Sequence, residues 1–108
     1  MTAFPNTLRV RPEVLRLVPT DALSVMTMRV QAAEVWDAVR VEAAPTTRVR
    51  EVKQAAMAAL LPDMDDVEAF VVKLHGIEIR DESVTLEAAG VQDASTLFLM
   101  GRRRRAVR

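Results

Sequence analysis

Cysteine is absent from the 108 residues, which excludes a disulfide framework, a thiolate metal site and a thiol nucleophile. Histidine occurs once, at His75 beside Gly76, and with no cysteine or second histidine it cannot complete a zinc site, so a turn residue is expected there. No Gly-rich phosphate loop is present, and Ser83 and Ser95 have no base to activate them. Long apolar runs are missing too: Arg9, Arg11, Pro12, Glu13 and Arg16 interrupt every aliphatic stretch near the N-terminus, which excludes a secretory core there, and no transmembrane segment is expected. Asp63, Asp65, Asp66 and Glu68 gather carboxylates, but without the glycine and the final bidentate acid of a calcium loop, so a solvated connection is expected. These absences predict a cytoplasmic protein that is not an enzyme, with no catalytic residue, cofactor, metal or small-molecule substrate.

What is present is apolar content of 50%, ample for one soluble domain. The net charge of zero hides an asymmetry. Arg102, Arg103, Arg104, Arg105 and Arg108 lie in an acid-free tail, leaving ten basic against fifteen acidic residues elsewhere. Such a tail suits an acidic protein face, an anionic membrane surface or nucleic acid. For nucleic acid it lacks the interleaved aromatics that stack on bases, so binding would be weak and salt-dependent.

Periodicity divides the chain. Pro5, Pro12 and Pro19 disfavour a continuous helix over residues 1–24, which read as an extension outside the domain with short extended pieces. Met26, Met28 and Val30, and then Val39, Val41 and Ala43, alternate with polar or small residues at the period of two that marks half-buried strands. An antiparallel hairpin follows, joined by a loose loop rather than a two-residue turn. Val49, Val52, Ala56 and Leu60 share one helical face, predicting a helix over 47–61 that opens on a threonine cap and stops at Pro62. Phe70, Val72 and Leu74, then Ile77 and Ile79, then Leu97 and Leu99 predict three further strands, with a glycine turn at His75-Gly76 and a compact connection through Leu86, Gly90 and Val91. These inward positions predict one core between sheet and helix.

The run Arg80-Asp81-Glu82-Ser83-Val84-Thr85-Leu86, continuing through Gly90-Val91 to Ser95-Thr96-Leu97-Phe98-Leu99, resembles the C-terminal half of ubiquitin. Pro45 through Lys53, with Val49 and Val52, is similar to that family's Pro-x-x-x-Ile-x-x-Val-Lys helix start, and His75-Gly76 stands at its Ala-Gly turn. The resemblance covers residues 25–101. It implies an α+β fold of the ubiquitin-like β-grasp type, a mixed sheet of four to five strands packed on one helix, flanked by the 1–24 extension and the 102–108 tail. It also implies a non-conjugated protein-interaction module or accessory subunit, like those of bacterial secretion systems or multicomponent enzymes; heavy use of Ala, Val and Arg fits a bacterial source. In place of a conjugating di-glycine the chain has arginine and alanine after Gly101, so a modifier role requires processing at Gly101. Only Lys53 and Lys73 could accept polymer links. The family's partner-binding patch falls on Lys73, Phe98 and Met100, with Phe98 and Met100 as the desolvated centre and Lys73 as a rim contact. Residues 1–24 are the competing cover for that patch.

Overall fold

The computed structural model describes residues 9–19, 23–33, 35–64 and 66–101, with 9–12 in backbone only. The period-two segments form the expected hairpin. Strand β2 (Met26–Ala32) pairs antiparallel with β3 (Asp37–Ala43), from Met26 opposite Ala43 to Ala32 opposite Asp37. Met28, Val30, Val39 and Val41 are buried because each lies on the parity that faces the helix.

Helix α1 (Val49–Leu60) buries Val49, Val52, Ala56, Met57 and Leu60 against the sheet. The expected threonine cap is not there. Arg48 occupies the N-cap position without a side-chain bond. The free N–H groups of Val49 and Arg50 instead donate to the carbonyls of Val84 and Glu82 at 3.0 and 2.9 Å. The cap is tertiary, and Thr47 is buried behind it, where its carbonyl accepts the Leu86 N–H at 2.8 Å.

The second half supplies β4 (Phe70–Leu74), β5 (Ile77–Glu78), a short helix α2 (Leu86–Ala89) and β6 (Thr96–Gly101). His75 and Gly76 both adopt positive φ, 54° and 82°, in the tight turn between β4 and β5. Thr85 caps α2 through its hydroxyl, which accepts the Ala88 N–H, and Gly90 closes it at φ 93°. Strand β6 is central: it runs parallel to β2 and antiparallel to β4.

The sheet has six strands rather than four to five, in the order β1-β3-β2-β6-β4-β5, with β1 spanning Arg9–Arg16. The additional strand is β1, drawn from the segment expected to stand outside the domain, and it runs parallel along the free edge of β3. Its register shifts between Val10 and Val14, across Pro12, which has no N–H to give to a ladder. Beyond the shift, Leu15 and Leu17 pack on the core as partly buried residues, the Leu17 N–H donates to Glu42 at 2.8 Å, and Arg16 pairs with the Glu42 carboxylate. Leu15 and Leu17 thus reach the core at the β3 edge.

Candidate protein-binding face

Alternation along β6 sends Leu97 and Leu99 into the core and leaves Thr96, Phe98 and Met100 on the outer face of the sheet. Lys73 of β4 stands opposite Phe98, Val71 opposite Met100, and Gln31 of β2 beside Phe98 on the other flank. The three residues expected to form the patch are therefore brought together by strand register. Phe98 and Met100 are 38% and 36% exposed, and Lys73 is half-buried between Phe98 and Glu78. Strand β1 of the N-terminal segment does not lie beside them, being separated from β6 by β3 and β2.

The sequence reading missed two contributors. Val35 and Trp36, in the connection between β2 and β3, are 44% and 64% exposed. Trp36 adopts φ 51°, a left-handed conformation that is unusual for a bulky side chain. With Gln31, Ala32, Ala33 and Phe98 it lines a cavity of about 130 Å³ at the top of the face. The available signal was the single tryptophan of the chain, placed in a connection where core packing does not call for one.

Other sequence candidates have structural roles. Lys53, on the helix, is 1% exposed, and its Nζ lies 3.0 Å from both carboxylate oxygens of Glu82. Lys53 therefore offers no amine to a polymer link. Asp81 accepts the Ser83 hydroxyl at 2.5 Å and the Ser83 N–H at 3.1 Å, and these bonds hold its carboxyl below the usual aspartate range. Ser95 Oγ accepts the Gln92 N–H at 2.9 Å. In the acidic connection, Glu68 pairs with Arg50 at 2.6 Å, which together with its Coulomb field raises the Arg50 pKa. Among the described residues no three His, Asp or Glu side chains converge on a metal position. Gly101 is exposed at the end of β6, opposite Phe70. Arg102, Arg103, Arg104, Arg105 and Arg108 lie outside the described residues.

No protein-family model and no curated protein matches the chain. Solved structures do. The ubiquitin-like domain of an Arabidopsis thaliana protein superposes with a TM-score of 0.62 at 18% identity, covering 82% of this chain and 89% of that one. Ubiquitin from Caldiarchaeum subterraneum gives a TM-score of 0.62 at 20% identity, covering 77% of this chain and 100% of that one. The fold is ubiquitin-like. The whole of the archaeal ubiquitin aligns with only part of this chain, so this ubiquitin-like fold carries residues without a counterpart there. The structure of ATBAG1 in complex with HSP70 is also similar, with a TM-score of 0.56 at 20% identity over 70% of this chain and 40% of that one. On this ubiquitin-like fold the outer face of the sheet leaves Trp36, Phe98 and Met100 in water, and a second apolar surface lies beside the β4–β5 turn, where the exposed Ile77 lines a cleft with Leu74, Ile79, Val84 and Ala89.

Proposed function

We propose that the protein is a non-catalytic docking module that binds a protein partner through the outer sheet face, with Trp36, Phe98 and Met100 as the desolvated centre and Lys73 at the rim. The observation that carries this reading is Trp36, exposed by 64% at a positive φ. Folding gains little from a tryptophan held that way, because a left-handed non-glycine residue costs about 1–2 kcal/mol. A partner that covers the ring recovers that loss, since aromatic anchors dominate interface energetics. ATBAG1, similar over 40% of that chain, was solved in complex with HSP70, and no partner for this chain follows from it. The arginine tail, Arg102 to Arg105 with Arg108, adds long-range attraction to an acidic partner surface in the cytoplasm.

Site-specific photo-cross-linking tests this. A cross-linker at position 98 or 36 is expected to trap a discrete protein species that a cross-linker at the exposed helix position 54 does not. The same species trapped equally from position 54 would overturn the proposal.

A further inference from the structure

One strand repeat along from Phe98, the outer face changes from apolar to cationic. Arg29 of β2 stands directly opposite Arg40 of β3 and beside Thr96 of β6. Residues in such opposition project to the same side with Cβ atoms about 5 Å apart. Both side chains are exposed, and with Thr27, Asp93, Ala94 and Thr96 they line a cleft of about 340 Å³. Among the described residues neither arginine has an ion-pair partner, whereas Arg16 and Arg50 are paired with Glu42 and Glu68. Asp93 is the acid at the cleft rim, and its Oδ1 is occupied by the Thr27 N–H at 2.7 Å. Two unpaired guanidinium groups held opposite each other repel, and an anion placed between them relieves that repulsion with charge-assisted bonds.

We propose that Arg29 and Arg40 bind a carboxylate side chain of the partner segment whose apolar residue enters the cavity between Trp36 and Phe98. The inference rests on the docking reading and narrows it to an acidic peptide. Along β2 and β6 the arginine row and the Phe98 row are two residues apart, about 6.7 Å. An extended peptide presents its residues i and i+2 on one side at that same spacing, so the recognised pattern is an apolar residue and an acidic residue separated by one. A carboxylate fits better than a phosphate dianion because the Asp93 carboxylate stands at the rim, and because the adjoining cavity calls for an apolar group in the same ligand.

The test is an NMR titration of the full chain, read at the Arg29 and Arg40 side-chain N–H signals and the Trp36 indole. The probe is the blocked peptide Ser-Leu-Thr-Glu-Ser, with a glutamine version of it and inorganic phosphate as comparisons. Saturable shifts at all three groups are expected with the glutamate peptide. Affinity should fall at least fivefold both for the glutamine peptide and for the Arg29→Gln/Arg40→Gln variant, which retains the fold because it removes a repulsion. Equal affinity for the two peptides would overturn the carboxylate site while leaving the docking face intact; the cross-linking result decides the docking face separately. Shifts at the arginines with phosphate but none with the peptide, or no saturable shift with any probe, would also overturn the proposal.

Discussion

Replacing Lys53 with methionine removes the ammonium from a fully enclosed ion pair and keeps nearly the same side-chain length. The Lys53 side chain is 0% exposed and that of Glu82 7%, and Nζ bonds both carboxylate oxygens at 3.0 Å. Without Lys53, the Glu82 carboxylate is left buried beside apolar helix residues, which costs about 3–5 kcal/mol for a broken buried pair. The Glu82 backbone is held at the site, since its carbonyl accepts the Arg50 N–H at 2.9 Å. Against a total stability of about 5–15 kcal/mol the loss is large, and it corresponds to a fall in Tm of at least about 12 °C at 4–8 °C per kcal/mol. Urea denaturation followed by far-UV circular dichroism measures it. The double variant Lys53→Met/Glu82→Leu removes both charges and should recover most of the loss, because an apolar pair of similar volume replaces a buried salt bridge at little net cost. A deficit below about 1 kcal/mol in the single variant, or a double variant no better than the single, would refute the view that the two groups depend on each other.

Three further outcomes follow from local geometry. Arg29→Gln relieves the opposition to Arg40 and is expected to raise stability by about 0.2–1 kcal/mol; a lower denaturation midpoint would contradict it. The bonds from Ser83 hold Asp81 below its usual pKa of 3.8, so its contribution is present above the unfolded value and disappears as pH falls through the folded one. The advantage of the wild type over Asp81→Asn should accordingly be constant above about pH 5 and shrink below about pH 4 in paired denaturation curves. Gly90→Ala meets no crowding, with Leu74 Cδ2 at 3.9 Å the nearest atom, yet it places an alanine at φ 93°. A loss of about 1–2 kcal/mol is expected from backbone conformation alone, and a neutral result would show that the α2 terminus relaxes.

The core and the element order were legible because they rest on period and punctuation: Met28 and Val30 opposite Val39 and Val41, the Val49-Val52-Ala56-Leu60 face, the two turn glycines. The helix start was not legible because its cap is tertiary rather than local. Thr47 looks like a cap, but the carbonyls of Glu82 and Val84 reach the free N–H groups first, and no sequence window contains both partners. Strand β1 was misplaced for a related reason. Its prolines point only to short extended pieces, and the three-dimensional order alone shows that one of them lies at a sheet edge, where a missing N–H is tolerated. Of the binding face, Lys73, Phe98 and Met100 followed from alternation and the ubiquitin resemblance. Trp36 and the Arg29–Arg40 opposition depend on a backbone conformation and a register, neither of which is written in one dimension.

The outer face breaks local rules that the interior obeys. Among the described residues no buried side-chain nitrogen or oxygen lacks a partner, yet the surface holds a left-handed tryptophan and two opposed arginines. If these features serve binding, removing them should stabilise the fold and abolish the function together. Trp36→Gly relieves the backbone strain and loses only a partly packed ring, for a net gain of about 0.5 kcal/mol once the flexibility of glycine in the unfolded chain is counted. The two positions belong to separate cavities, so the gains from Trp36→Gly and Arg29→Gln should add to about 1 kcal/mol in the double variant. Denaturation midpoints measure the sum, and cross-linking from position 98 measures what remains of docking. A double variant less stable than the wild type would make the tryptophan a structural residue. One that is more stable and still captures the partner in full would take the binding site off this face.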